Sequence, residues 1–209
     1  VFQQPELPFY FVQIAPWQYG TEDEDILAQF WQAQRKCLDI PHTGMAVISD
    51  IGEIPDIHPA KKKEVARRLS LWALSKEYGR SEIDPNGPLY ASHSIEGAAI
   101  RVKFDHATGG LAARDGKALT HFEIAGRDGL FQPAEAKIDG DSVVLTSAKV
   151  PQPRRARFAW SKLAIANLEF VGLHVRRGAA VWVVAIDLEA VHRQHLRRHG
   201  IVATCEPNI

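Results

Sequence analysis

The chain has 209 residues, 45% of them hydrophobic and 24% charged, which suits a soluble globular protein with a substantial core. Its 25 basic and 25 acidic side chains cancel, so the composition gives no electrostatic sign of a nucleic-acid or anionic-membrane partner. No apolar run reaches the length of a membrane span. The two cysteines, Cys37 and Cys205, are too few for a disulfide framework or a metal cluster.

The first eighty residues predict the order β-α-β-α, which is typical of a parallel sheet covered by helices. Residues 8–16, "PFYFVQIAP", are apolar without alternation, as in a strand buried on both faces. The helix that follows has a predicted buried face of Ile26, Phe30, Ala33 and Cys37. A second strand is predicted over 44–52 and a second helix over 60–78. The apolar stripe of this second helix consists of Val65, Ala66, Leu69, Trp72 and Ala73, opposite a run of lysine and arginine.

The pattern changes at residues 79–88, "GRSEIDPNGP", where proline and glycine predict a domain boundary. From residue 89 to 160 the apolar residues alternate with polar ones in short runs such as "AIRVKF", "SVVLTS" and "RARFAW". The turn signals between the runs are Gly109-Gly110, Asp115-Gly116, Asp128-Gly129 and Asp139-Gly140. These features predict an antiparallel β-sandwich over 86–168.

Residues 169–209 form an atypical C-terminal tail, with an apolar segment followed by one rich in arginine and histidine. On a helix, His192, His195 and His199 would share one face, which fits a basic solvated face better than a zinc site because no carboxylate joins them. We therefore predict no metal and no other cofactor.

The stretch most suggestive of chemistry is "SDIGEIPDIHP", in which Asp56 and His58 directly precede Pro59. Proline is favoured at the first position of a helix, so His58 is predicted beside a helix start. There the positive end of the helix dipole disfavours imidazolium and keeps the ring neutral, as a general base requires. A carboxylate two residues earlier can fix the histidine tautomer. The spacing alone fits a surface aspartate and histidine at a capped helix start better than a catalytic pair.

Longer words in the sequence resemble the bacterial sialate O-acetylesterase family, a branch of the SGNH hydrolases. They are "LPFYFVQIAPW", "TGMAVISDIGEIPDIHPAKKKEVARRLSLWALSKEYG" and "GLAARDGKALTHFEIAGRDGLFQPAEAKIDGDSVVLTS". The resemblance implies that residues 1–80 are the C-terminal part of a flavodoxin-like SGNH hydrolase α/β domain, followed by the β-sandwich. It implies a metal-independent serine hydrolase that removes acetyl esters from carbohydrates, with a periplasmic or secreted location. The family motif "DIHP" matches residues 56–59 of this chain. The resemblance therefore implies that His58 is the base and that Asp56 orients it.

Two departures from the family pattern affect this assignment. SGNH enzymes commonly space the acid three residues before the histidine, which leaves Asp50 as a rival orienter. The family's serine and oxyanion segments precede "FYFVQ", and no serine here has a G-x-S-x-G setting. We therefore expect this chain to be a fragment without the nucleophile, whose partner is the missing N-terminal half of the same enzyme.

Trp17 and Tyr19 follow the first predicted strand and are the best candidates for contacting a sugar ring. Two functions remain open from the sequence. One is the base-carrying part of a carbohydrate O-acetylesterase. The other is a non-catalytic β-sandwich module that binds a carbohydrate or packs against a partner.

Overall fold

A computed structural model describes residues 3–20, 25–107 and 109–170 of the chain. The first part has two strands and two α-helices in the order β1 (Phe9–Val12), α1 (Ile26–Lys36), β2 (Thr43–Ala46) and α2 (Lys62–Lys76). One turn of 3-10 helix, Cys37–Asp39, extends α1. Within the described ranges, neither helix is long and apolar enough to cross a bilayer.

Strands β1 and β2 pair in parallel, with Phe9 opposite Thr43 and Val12 opposite Ala46. Parallel neighbours need a crossover connection, and α1 lies in that connection. Both strands are shorter than predicted. Beyond β2 the chain continues as a buried segment to Ser49 and then turns.

The buried face of α1 differs from the predicted one. Ile26 and Phe30 are 44% and 51% exposed, whereas Leu27, Ala28 and Trp31 are buried. The indole nitrogen of Trp31 donates a hydrogen bond to the backbone oxygen of Ile14 at 2.8 Å. Because a buried indole N–H requires an acceptor, this contact fixes the rotation of the helix. The pattern of apolar residues along the helix could not predict this hydrogen bond, because its acceptor, Ile14, lies outside the helix.

Helix α2 buries a charged residue that the sequence pattern placed on its solvated face. Arg68 is 7% exposed and Trp72 is 5% exposed. The Trp72 indole donates to the backbone oxygen of Met45 at 3.0 Å. The Arg68 guanidinium donates to the backbone oxygen of Val47 at 2.6 Å. Both side chains therefore attach α2 to β2 and to the segment that follows it.

The remainder of the described chain, residues 89–170, is called the β-rich part. Its first strands are β3 (Leu89–Glu96), β4 (Ala99–Asp105), β5 (Leu111–Ala113) and β6 (Phe122–Ala125). They are followed by β7 (Gln132–Pro133), β8 (Glu135–Asp139), β9 (Ser142–Thr146), β10 (Arg155–Phe158) and β11 (Leu168–Phe170). All pairings among these strands are antiparallel, in a four-stranded sheet β3-β4-β9-β8, a three-stranded sheet β10-β6-β7 and the pair β11-β5.

The hairpin between β8 and β9 illustrates how the turn signals act. Asp139 pairs with Ser142, so two residues close the loop, and Gly140 has a φ of +62°. A glycine reaches this left-handed conformation without steric cost. The predicted Asp-Gly turn is confirmed at this position.

Strand pairing does not end at Trp160, as the alternation predicted. Leu168 lies opposite Ala113 in the β11-β5 pair and is 1% exposed. One hydrophobic cluster includes this leucine, Met45 of β2 and Trp72 of α2. The core thus continues across residues 79–88, where the sequence predicts a boundary. The remaining 39 residues of the predicted tail, including its histidines and Cys205, lie outside the described residues.

Candidate active site

The loop that carries Asp56 and His58 begins where the segment after β2 turns. The backbone N–H groups of Ile51 and Gly52 both donate to the backbone oxygen of Ile48, at 3.1 and 2.9 Å. Glu53 and Asp56 then form a short antiparallel bridge. The loop therefore leaves the carboxyl end of a parallel strand, which is where α/β proteins place their ligands.

The carboxylate of Asp56 contacts His58 twice. Its Oδ1 accepts the His58 backbone N–H at 2.8 Å and lies 3.3 Å from the imidazole Nδ1. The backbone hydrogen bond from His58 is the largest cause of the lowered pKa of Asp56, followed in the same direction by the imidazole. An ionised carboxylate at Nδ1 favours the tautomer with its proton on that nitrogen. The other ring nitrogen, Nε2, then has the lone pair that can accept a proton.

The imidazole of His58 is open to solvent, with 82% of its side chain exposed, against 59% for Asp56. In the part of the chain that the structure describes, His58 hydrogen-bonds Asp56 and no serine hydroxyl. Ser49 is fully buried, and Ser70 donates to the Arg67 backbone oxygen within α2.

His58 does not stand at a helix start. Helix α2 begins at Lys62, with Lys61 as its N-cap residue, so Pro59 is not its first residue. The prediction of a helix-dipole effect on His58 is therefore wrong. The orientation of the imidazole depends instead on its contact with Asp56.

Asp50, the rival orienter, is in a different environment. Its side chain is 9% exposed, and its two oxygens accept from Arg68 Nη1 and Nη2 at 2.7 and 2.8 Å. Arg114, on the segment after β5, adds a more distant contact of 3.8 Å. Glu64 also accepts from Arg68, at 2.9 Å. Asp50 thus belongs to a buried ion network that joins the segment after β2 to α2 and to the β-rich part.

Trp17 and Tyr19 lie next to the Asp56–His58 loop. The Trp17 indole donates to the backbone oxygen of Pro55 at 3.4 Å. Its ring meets that of Tyr19 edge-on, with centroids 5.2 Å apart at 85°. The Tyr19 hydroxyl is held by the backbone oxygen of Ala15 at 3.0 Å. The structure therefore brings the predicted aromatic pair and the predicted acid–base pair to one loop region.

Arg68 and Arg114 were not singled out by the sequence. One signal could have identified Arg68: it is four residues from both Glu64 and Trp72, so it shares a helix face with them. Arg114 gives no comparable local signal, because its partners Asp50 and Ala166 are distant in sequence. Within the described ranges no three metal-ligating side chains converge.

The chain is structurally similar to a carbohydrate acetylesterase from Xanthomonas citri. The match has a TM-score of 0.79 and 36% sequence identity, and it covers 88% of this chain. It covers only 41% of the Xanthomonas protein, so the chain spans about two fifths of its length. No protein-family model and no curated protein matches the chain.

Proposed function

We propose that this chain carries the general-base end of a carbohydrate O-acetylesterase. The observation that carries the proposal is the Asp56 carboxylate at Nδ1 of a solvent-open His58. Similarity to a carbohydrate acetylesterase supports the proposed reaction class, the hydrolysis of acetyl esters on a sugar. The sequence motifs that resemble the sialate O-acetylesterase family lead us to three finer proposals. These are an SGNH-type mechanism, an O-acetylated sialic acid as substrate and a periplasmic or secreted location.

In this mechanism the nucleophile is a serine outside this chain. His58 Nε2 accepts the serine proton as the serine oxygen bonds to the acetyl carbonyl carbon. The tetrahedral intermediate then collapses, the sugar oxygen leaves, and His58 returns the proton to it. Water attacks the acetyl-serine by the same route, so acetate and free serine result. Asp56 stabilises the imidazolium formed in each half but transfers no proton.

The first strand pair supports the proposal that the serine comes from a further segment. A parallel sheet in α/β proteins is covered on both faces, and two strands alone are only marginally stable. In β1, Phe9 is 66% exposed, and after that strand Gln13 has a buried side-chain oxygen with no partner in the described structure. We propose that the N-terminal half of the same enzyme packs here and brings the serine to His58.

The aromatic pair supports the choice of a sugar substrate. Trp17 presents an aromatic ring beside the loop that carries His58, and sugars stack their apolar faces on such rings. A ring stacked on Trp17 would hold an acetyl ester near the imidazole. We expect Trp17→Ala to raise KM more than it lowers kcat, since stacking is made equally in the ground state and the transition state.

The test compares the chain alone with the longer polypeptide that includes the segment encoded upstream. The chain alone is expected to show no serine-dependent turnover of 4-nitrophenyl acetate and no labelling by a fluorophosphonate. The longer polypeptide is expected to release acetate from O-acetylated sialic acid and acetylated xylan. Their kcat/KM ratio decides the substrate class.

The decisive variant in the longer polypeptide is His58→Ala, with Lys61→Ala as an exposed control on the same segment. We expect the first to lower kcat by about six orders of magnitude, the scale for losing a triad histidine, and the second to leave it unchanged. A folded His58→Ala enzyme with near-normal kcat would contradict the proposal. Fluorophosphonate labelling of the isolated chain would contradict only the proposal that the nucleophilic serine lies outside this chain.

A further inference from the structure

A second candidate ligand site lies between the β-rich part and Asp25, the residue before α1, and its described lining includes no residue of the Asp56–His58 loop. A cavity of 370 Å³ opens there, within the size range of small-molecule sites. The side chains that carry the argument are Asp25, His121, Glu123, Arg157, Trp160 and Ser161. None of them contributes to the acid–base pair.

Charged groups in this cavity are held in a fixed arrangement. Arg157 donates to both oxygens of Glu123, at 2.7 and 3.3 Å, and its Nη1 lies 3.5 Å from Asp25. The guanidinium also stacks over the Phe131 ring at 4.3 Å. These contacts orient a planar fork of donors beside two carboxylates, so the polar groups are positioned before any ligand arrives.

The charge balance points to a neutral ligand. Two carboxylates stand against one guanidinium, and burial lowers the pKa of His121, which keeps that imidazole neutral at neutral pH. An anionic ligand would be repelled by the excess negative charge of the two carboxylates. A metal ion would meet the Arg157 guanidinium between the two carboxylates, and no three ligating groups converge in the described residues.

A neutral ligand that binds to these charged and polar side chains needs several hydroxyl groups. Carboxylates accept from hydroxyls, while guanidinium and serine groups donate to them. Trp160 adds an aromatic ring to the lining, against which the C–H face of a sugar can pack. The combination fits a pyranose ring better than an apolar or a charged compound.

The cavity is linked through the chain to the aromatic pair. Lys162, next to Ser161, donates its Nζ to the backbone oxygens of Tyr19 and Gly20, at 3.1 and 3.4 Å. Tyr19 in turn contacts Trp17, beside the Asp56–His58 loop. From these observations we propose that the Glu123–Arg157–Trp160 cavity is an accessory site that binds a neutral sugar unit. The inference rests on the cavity's own side chains and does not require ester hydrolysis.

Binding can be measured on the chain as it is, by NMR of ¹⁵N-labelled protein with unacetylated xylotriose as the neutral probe. The chain has five tryptophans, and the Trp160 indole signal is the one lost in Trp160→Phe. We expect xylotriose to shift that signal saturably. Trp160→Ala should weaken binding about ten- to hundredfold, the scale for losing one buried aromatic contact. Tyr78→Ala, an aromatic 75% exposed outside the cavity, should leave binding unchanged.

Two further variants keep the proposal separate from folding and from catalysis. Ser161→Ala removes one hydroxyl and should weaken binding several-fold in a protein that still folds. His58→Ala should bind xylotriose normally, so a failed esterase proposal leaves this result intact. No saturable shift, or a shift with N-acetylneuraminic acid alone, would overturn the proposal. Binding that is unaffected by both cavity variants would overturn it as well.

Discussion

Replacing Asp50 and Asp56 by asparagine, one at a time, should separate their roles, because one carboxylate is buried in an ion pair and the other faces solvent. Asp50→Asn removes the negative charge that faces the Arg68 guanidinium, whose side chain is 8% exposed. The asparagine side chain also places an amide N–H donor opposite an N–H donor of Arg68. We expect this change to destabilise the fold, and we expect Asp56→Asn to act on catalysis.

The magnitude follows from what remains around Arg68. Breaking a buried ion pair by removing one partner costs about 3–5 kcal/mol. Arg68 still keeps Glu64 at 2.9 Å and the Val47 backbone oxygen at 2.6 Å, so the lower end applies. About 3 kcal/mol corresponds to a fall in Tm of about 6–12 °C for a domain of this size. A partial recovery in Asp50→Asn with Arg68→Met would identify the unpaired guanidinium as the cause.

Thermal melts of the chain and acetate release by the longer polypeptide measure the two effects. Asp56→Asn should melt with the parent, yet lower kcat by up to about four orders of magnitude through the wrong tautomer of His58. Asp139→Asn, which removes an exposed partner of Arg101, is the control for amidation itself. If Asp50→Asn abolishes turnover well below its Tm while Asp56→Asn remains active, Asp50 is the orienter and the reasoning is refuted.

Three other changes test the packing. Gly44→Ala would put a Cβ 2.5 Å from the Trp72 ring, and we expect urea melts to show a loss of about 1–3 kcal/mol. His106→Asn removes an ion pair with Asp84 that raises the pKa of His106. The stability that it contributes should be complete below about pH 6.5 and disappear as pH rises through the raised pKa. Truncation after Phe170 should leave the melt nearly unchanged, because β11 is retained.

Each of these expectations has a contrary outcome. An unchanged melt for Gly44→Ala would mean that the Trp72 ring moves aside. Equal pH profiles for the parent and His106→Asn would show that the ion pair adds no pH-dependent stability. A large loss on truncation after Phe170 would show that the segment beyond it supplies part of the core, against the prediction of a dispensable tail.

Local patterns in the sequence were sufficient for several features. The β8–β9 hairpin follows from alternation and from Gly140, because a turn depends on residues adjacent in the chain. The contact between Asp56 and His58 is of the same kind, since a side chain reaches the backbone N–H two residues later without tertiary help. The pair could therefore be predicted, although its catalytic role stays a proposal.

Tertiary structure decided the features whose partners are far apart in sequence. The helix spacing could suggest a shared face for Arg68, but its ion pair with Asp50, 18 residues earlier, is a tertiary contact. Trp17 reaches the loop through Pro55, 38 residues later, and Arg157 meets Glu123 across 34 residues. Helix periodicity ranks residues by polarity, so it places an arginine outside. Burying that charge becomes favourable only when the folded chain supplies a carboxylate and backbone oxygens around it.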